Sequence, residues 1–234
     1  MSKRPVMLAS LCVVLLLPAS RLFADRLEEI LNTIRSKTAD VRSFRADYVD
    51  TLRDLGFEMD QVRSGVLSLR KTDDGKGVLL HMVQKKPFEQ HVYLTPERAV
   101  RYEPDNRIAH VVPLDPGKGS GVKESLDLLG DPAALEKKYG LTLQDDEDVS
   151  GVRCWKIHLV PLPDAGETDF REMTLWIDPD LGLPRKAQGL VHDGTELRTL
   201  EFRKLTTNPA LPESEFQFRP PPGVDVDEVE SLRL

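Results

Sequence analysis

Cysteine is almost missing from this chain: 234 residues carry only Cys12 and Cys154. Cys12 lies inside an N-terminal apolar run that reads as removable, which leaves Cys154 alone and excludes an internal disulfide even in an oxidising compartment. Cys154 itself reads as a small, half-buried strand residue rather than a catalytic thiol. Long hydrophobic runs are missing too. The run at residues 6–17 is too short to cross a bilayer, which takes about 20 apolar residues, so no stable membrane insertion is expected. No two of the five histidines, His81, His91, His110, His158 and His192, stand at metal-ligand spacing or beside a Cys/Asp cluster, so no metal and no cofactor are expected. Serine nucleophile elbows and phosphate loops are absent, and no catalytic residue can be nominated. The acidic runs at 145–148 and 225–230 lack the alternating ligands, glycine and terminal glutamate of a calcium loop, and read as solvated loop and tail.

What is present begins with a leader. Lys3 and Arg4 precede the apolar run, which ends in Pro18 and small residues, with Ala24 as the best cleavage point; this is the anatomy of a secretory signal. Cys12 follows Leu11 within the run, where a lipid-modified cysteine would follow the run and a small residue. The expected division is a signal peptide, 1–24, and one domain, 25–234, large enough for a sizeable core. Losing Lys3, Arg4 and Arg21 removes three of 32 basic residues and none of 39 acidic ones, so the net charge moves from −7 to −10. That surface does not suit nucleic acid or anionic headgroups.

The remaining chain starts as a helix and becomes strands. Leu27, Ile30, Leu31, Ile34 and Val41 recur at helical spacing over 25–43, which predicts a helix with one apolar face. From Phe44 the period is two, with Phe44, Ala46 and Tyr48 on one side. Further alternating sets follow: Leu67 and Leu69; Val78, Leu80 and Met82; Val92 and Leu94; Val100 and Tyr102; Trp155, Ile157 and Leu159; Met173, Leu175 and Ile177; Leu200 and Phe202. So many one-sided strands require a shared interior, which a long antiparallel sheet provides by curling on itself. Two short amphipathic helices are predicted between them: GVKESLDLLG, with Val122, Leu126 and Leu129 on its apolar face, and DPAALEKKYG, capped by Asp131 with Pro132 in the first position.

The C-terminal block, 175–226, is the densest in signals. LWIDPDLGLPRKAQ reads as a strand, a turn through Asp178, Pro179, Asp180 and Gly182, and a second strand. Asp178 and Asp180 serve the turn rather than a paired-carboxylate site. HDGTELRTLEFRKLTTN follows as a hairpin through Asp193-Gly194. FQFRPPPGVDV places Phe216 and Phe218 on one face of a strand that Pro220, Pro221 and Pro222 end.

This block resembles the C-terminal half of the LolA family, periplasmic lipoprotein carriers of Gram-negative bacteria. The likeness rests on Leu-Trp-Ile-Asp-Pro…Gly-Leu-Pro, on Asp-Gly…Phe…Asn ending at Asn208, and on Phe-x-Phe-x-Pro-Pro-x-Gly-Val-x-Val. VRSFRADY at 41–48 is similar to the end of the family's first helix and the start of its first strand. The resemblance implies an α+β fold: a mostly antiparallel sheet curled into an incomplete, half-open β-barrel with a helical lid. It implies a soluble, monomeric periplasmic carrier, not an enzyme. Such a carrier takes lipoprotein acyl chains from an inner-membrane ABC exporter and hands them to an outer-membrane acceptor. The lining would then be Leu67, Leu69, Val78, Leu80, Met82, Val92, Leu94, Trp155, Ile157, Leu159, Met173, Leu175, Ile177, Leu200 and Phe202. The lid would be Leu27, Ile30, Leu31, Ile34, Val122, Leu126 and Leu129. Family members follow the strand that begins here at Gly65 with a basic residue and a proline, and the basic residue helps hold the lid. This chain has Arg70 or Lys71 at that place and no proline.

Three alternatives stay open. A lipid-sensing regulator could use the same half-barrel, although such sensors usually add a C-terminal domain and this sequence stops soon after its Pro-Pro-Gly-Val. The cargo could be another long-chain lipid. A membrane-anchored acceptor of the same fold would need modification at Cys12 instead of cleavage at Ala24. An envelope hydrolase lacks a nominable nucleophile.

Overall fold

The structure is a computed structural model that describes residues 19–73, 77–114, 132–166, 168, 170–191 and 193–232, with side chains from Asp25 onward. The helix GVKESLDLLG, with Val122, Leu126 and Leu129, lies outside the described residues, as do Asp131 and His192. No helix among the described residues is long and apolar enough to cross a membrane.

Helix α1, Ala19–Thr38, leads into β1, Ser43–Asp54, and β2, Met59–Lys71. Then come β3, Val78–Lys86; β4, Gln90–Leu94; β5, Arg98–Glu103; and β6, Ile108–Pro113. Helix α2, Pro132–Lys138, precedes β7, Tyr139–Val149; β8, Val152–Pro161; β9, Phe170–Ile177; β10, Pro184–Val191; and β11, Glu196–Thr207. A 3₁₀ turn, Glu213–Phe216, and β12, Asp225–Glu228, complete the described elements. All twelve strands form one sheet in the order β12-β6-β5-β4-β3-β2-β1-β11-β10-β9-β8-β7. The end strands β12 and β7 do not pair with each other, so the sheet is an open, unclosed barrel. Every pairing is antiparallel except β12 on β6.

Several local readings change. The helix ends at Thr38, not at residue 43, and Val41 lies in the turn beyond it. There Asn208 takes the backbone groups of Asp40 and Arg42 that a continuing helix would have used. The acidic run 145–148 is strand, not loop: β7 is an edge, and edge strands are commonly blunted by charge. The other acidic run includes β12, the opposite edge, for the same reason. Phe216 ends a 3₁₀ turn rather than sharing a strand with Phe218, because residues 209–224 cross the back of the sheet instead of joining it.

That crossing segment explains another difference. Val100 and Tyr102 belong to the outer face of β5, where they pack with Tyr93, Val111 and Val224 around Phe218. Residues on both faces of this half of the sheet are therefore buried.

At the opposite end from the helix turn, the long β1–β2 hairpin outruns β3, whose last paired residue, Lys86, stands opposite Ser64. Asp54 accepts hydrogen bonds from the backbone N–H groups of Gly56 and Phe57 and fixes the tip, leaving Phe57 78% exposed.

Candidate functional site

The strand register decides which side chains share a face. Leu69 pairs with Leu80 and Leu80 with Leu94; Leu67 pairs with Met82 and Met82 with Val92. On the other half, Ile157 pairs with Leu175, Leu175 with Ala187, and Ala187 with Leu200. Leu159 stands opposite Met173 and Trp155 opposite Ile177. Phe202 faces Tyr48 across β11 and β1. Because side chains alternate with period two, all fifteen residues expected to line an interior lie on one face of the sheet, the inner face. A one-residue slip in any strand would turn its set outward.

The inner face holds two apolar clusters. Beneath α1, Ile30, Leu31 and Ile34 pack on Ile157, Leu159, Met173, Leu175 and Ile177, with Leu27 and Leu135 at the margin. Beside them, Phe44, Ala46 and Tyr48 pack with Leu67, Leu69, Leu80, Val92, Leu94 and Phe202, flanked by Leu114 and Leu232. Helix α1 is thus a cover on half of the face. Its apolar contacts are worth about 1.5–3 kcal/mol per fully buried large side chain. Its polar ties are an ion pair from Arg26 to Asp146 at 2.8 Å and another from Arg35 to Glu136, both solvent-exposed. Exposed pairs contribute about 0–1 kcal/mol each. The greasy contact therefore holds the helix, and an apolar competitor is the agent suited to displace it. The turn at 178–183 supports the helix end: Gly182 has φ +68°, and a Cβ there would lie 2.8 Å from Lys37 Cβ.

The two basic residues expected near the lid part company. Arg70 points to the outer face, where its Nη1 donates to the Leu211 carbonyl at 3.1 Å and its guanidinium lies over the Phe216 ring. It fastens the crossing segment and does not reach α1, a correction to the expected gate. Lys71, one residue on, has the parity of Leu69 and so belongs to the inner face.

Polar groups interrupt the inner face where β1 runs toward its hairpin. Tyr48 is 3% exposed, and among the described residues its hydroxyl has no hydrogen-bond partner. Asp50, also buried, receives both Nε and Nη2 of Arg198, at 3.0 and 2.9 Å. Gln84 is buried nearby and donates to the Phe88 carbonyl. Burial first, then the Asp50 charge, pushes the Tyr48 phenol up to about 12. None of these was singled out from the sequence for function. A signal was available: Asp50 continues the apolar parity of Phe44, Ala46 and Tyr48, and a carboxylate there needs a partner.

Sequence separation also hid a histidine pair. The β3–β4 hairpin brings His81 Nε2 within 3.3 Å of His91 Nδ1 on the outer face, with His91 Nε2 at 2.8 Å from Glu89 and Tyr93 stacked on His81. The histidines are not all scattered. Even so, no group of three or more His, Cys, Asp or Glu among the described residues is arranged to hold a metal ion. Cys154 is fully buried on the outer face with Val149 and Trp176, and its thiol is raised to about 11, chiefly by burial.

An open antiparallel sheet with one continuous apolar face under an amphipathic helix is the architecture of the LolA-like class. Across 197 residues the chain is 27% identical to the outer-membrane lipoprotein carrier protein of Nitrosospira multiformis, covering 84% of this chain and 87% of that protein. It is 27% identical over 187 residues to the carrier of the same description from Dechloromonas aromatica, covering 80% and 82%. A crystal structure of MucB superposes with a TM-score of 0.52 at 20% identity, covering 83% of this chain but only 63% of MucB, so the chain spans less than two thirds of that protein. One family model, described as an uncharacterized protein, matches residues 128–210. The resemblance to the LolA family read from the two ends of the chain therefore extends over most of it, and the relatives that carry it are named as carriers rather than enzymes.

Proposed function

We propose that this protein is a periplasmic carrier that holds the acyl chains of lipoproteins against its inner face and moves them from the inner to the outer membrane. The observation that carries the reading is the inner face itself: fifteen apolar side chains from six strands, continuous across the sheet and half covered by a helix tied down mainly by apolar contact. An acyl chain loses about 0.8 kcal/mol per methylene on leaving a membrane for water, so a lipid anchor crosses an aqueous space only inside a substitute apolar solvent. Displacing α1 supplies one. Acyl carbons then replace Ile30, Leu31 and Ile34 against Ile157, Leu159 and Leu175, one apolar contact for another. The small difference between the two keeps release possible, as transfer to an acceptor requires. An inner-membrane ABC exporter as donor, an outer-membrane acceptor and a monomeric carrier fit this reading.

The test is site-specific photo-crosslinking in the native envelope. Probes at Leu80 and Leu175 should capture lipoprotein acyl chains, and a probe at His81, one step from Leu80 and on the opposite face, should not. Equal capture at all three positions, or capture of a protein partner without lipid, rejects the carrier reading in favour of a regulator on the same fold.

A further inference from the structure

The inner face is not uniformly apolar, and the place where it changes suggests which part of a lipid it recognises. Along β1 the inward parity runs Phe44, Ala46, Tyr48, Asp50. The first two belong to the apolar cluster, and the last is a buried carboxylate bridged to Arg198. Tyr48 sits at the boundary, its ring packed in the apolar cluster and its hydroxyl without a partner among the described residues. Its neighbour across β2 is Gly65, which contributes no side chain, and beyond Gly65 lies Gln84. Arg63 stands opposite Asp50 on β2, with the same inward parity.

A buried hydroxyl that makes no hydrogen bond costs about 1–3 kcal/mol, and buried polar groups in native proteins are rarely left so. Phenylalanine would fill the same space without that cost. The hydroxyl is a donor, and the nearby Asp50 carboxylate is already engaged by Arg198. What it lacks among the described residues is an acceptor, and one that arrives with an apolar body suits the place, since the Tyr48 ring packs in the apolar cluster with Ala46, Leu67 and Phe202.

We propose that Tyr48 is the donor for the carbonyl oxygen of an ester or amide that ends an acyl chain, so that the hydrocarbon lies along Ala46, Leu67 and Phe202 while the linkage stops at the Tyr48–Asp50–Arg198 boundary. This rests on the carrier reading and adds to it a polar recognition point that fixes how far a chain enters. Ester carbonyls occur in acylated lipopeptides and in phospholipids alike, and the boundary recognises the group they share.

The experiment compares ester-linked lipids with ether-linked analogues of the same chain length, which lack only the carbonyl. Four probes serve: a synthetic diacylglyceryl lipopeptide, its dialkyl ether, a phosphatidylglycerol and its diether. Binding is read by displacement of an environment-sensitive fatty acyl dye from the parent protein and from Tyr48→Phe. The parent should bind ester over ether about five- to tenfold more tightly, the range of one neutral hydrogen bond. Tyr48→Phe should lose that preference, leave ether binding unchanged and melt no lower than the parent. Loss of preference in the lipopeptide pair alone, or in the phospholipid pair alone, supports the donor role and identifies the source of the carbonyl. An ester preference of equal size in parent and variant overturns the inference while leaving the carrier reading intact. Failure of the parent to bind any of the four overturns both. Should Tyr48→Phe not fold, the infrared ester carbonyl band of the bound lipid in the parent decides. A band shifted to lower frequency than in hydrocarbon supports the hydrogen bond, and an unshifted band rejects it.

Discussion

Asn208 Oδ1 accepts a hydrogen bond from the backbone N–H of Arg42 at 2.7 Å, although the two residues lie at the far end of β11 and the near end of β1. The same oxygen accepts from Ser43 N–H at 3.3 Å, and Nδ2 donates to the Asp40 carbonyl at 3.1 Å. One side chain thus fixes the path from the covering helix into the sheet. Asn208 also holds φ at +52°, a left-handed conformation that asparagine tolerates better than alanine. Asn208→Ala should therefore cost about 2–4 kcal/mol from lost hydrogen bonds and backbone strain together. Asn208→Gly, which relieves the strain but not the lost bonds, should cost roughly 1–2 kcal/mol less. Urea denaturation midpoints measure both, and equal midpoints for the two variants would remove the strain from the account.

Arg185 and Asp178 form a second tie, inside the turn that supports α1. Arg185 Nε lies 2.7 Å from Asp178 Oδ2, and Asp178 is 2% exposed. Asp178 Oδ1 meanwhile accepts from the backbone N–H groups of Asp180 and Leu181. Arg185→Met strands a buried carboxylate and should cost about 3–5 kcal/mol. Asp178→Asn keeps an acceptor for the turn, so adding it to Arg185→Met should recover part of the loss. A double-mutant cycle with no coupling between the two sites would count against this pairing.

His81 makes stability depend on pH in a definite direction. Burial, then the neighbouring His91, lowers its pKa from 6.5 to about 4; Glu215 opposes this and Arg45 adds to it, while Tyr93 stacks on the ring. Between pH 6.5 and 4 the unfolded chain therefore binds a proton that the folded one does not. Stability must fall as pH drops through that window and be unaffected by this group above it. The ring is only partly buried, so solvent screening keeps the slope below the limiting value of about 1.4 kcal/mol per pH unit. Melting curves at pH 7.5 and 5.0 should show a smaller acid loss in His81→Gln than in the parent. An identical loss would assign the acid sensitivity elsewhere.

Cys154 should be chemically silent while the protein is folded. Its burial and its raised thiol pKa, about 11, leave almost no accessible thiolate at neutral pH. With residues 1–24 removed, a thiol reagent should titrate none in the native protein and one per chain in denaturant. Fast labelling without denaturant would show that the outer-face cluster with Val149 and Trp176 opens readily.

Much of this architecture is visible in the spacing of apolar residues. Ile30, Leu31 and Ile34 mark a helix face because three- and four-residue steps return to one side of a helix. Leu67 with Leu69, or Leu175 with Ile177, mark strand faces because every second residue does so. Spacing is less informative where both faces are buried. Val92 and Leu94 on β4 and Val100 and Tyr102 on β5 are equally good alternating pairs, yet the first faces inward and the second outward. The register, which pairs Val100 with the outward Tyr93, and the path of residues 209–224 across the back of the sheet distinguish them. Charge misleads similarly: Asp145, Asp146, Glu147 and Asp148 look like a loop until β7 is known to be an edge strand, where the backbone pairs on one side and the side chains meet solvent.

The chain's own order of residues settled what each strand offers: which residues share a side, where turns fall at Asp178–Gly182 and Asp193-Gly194, and that one helix carries an apolar stripe. These follow from local geometry, with periods of 3.6 and 2 and backbone angles that few residues prefer. Which distant residues meet was left to the packing of the whole sheet. Strand pairing joined Asp50 to Arg198 at the limit of the apolar face, joined His81 to His91, and sent Arg70 to Leu211 instead of to the covering helix. Such contacts depend on register between strands far apart in sequence, and register is a property of the whole sheet that no single strand carries.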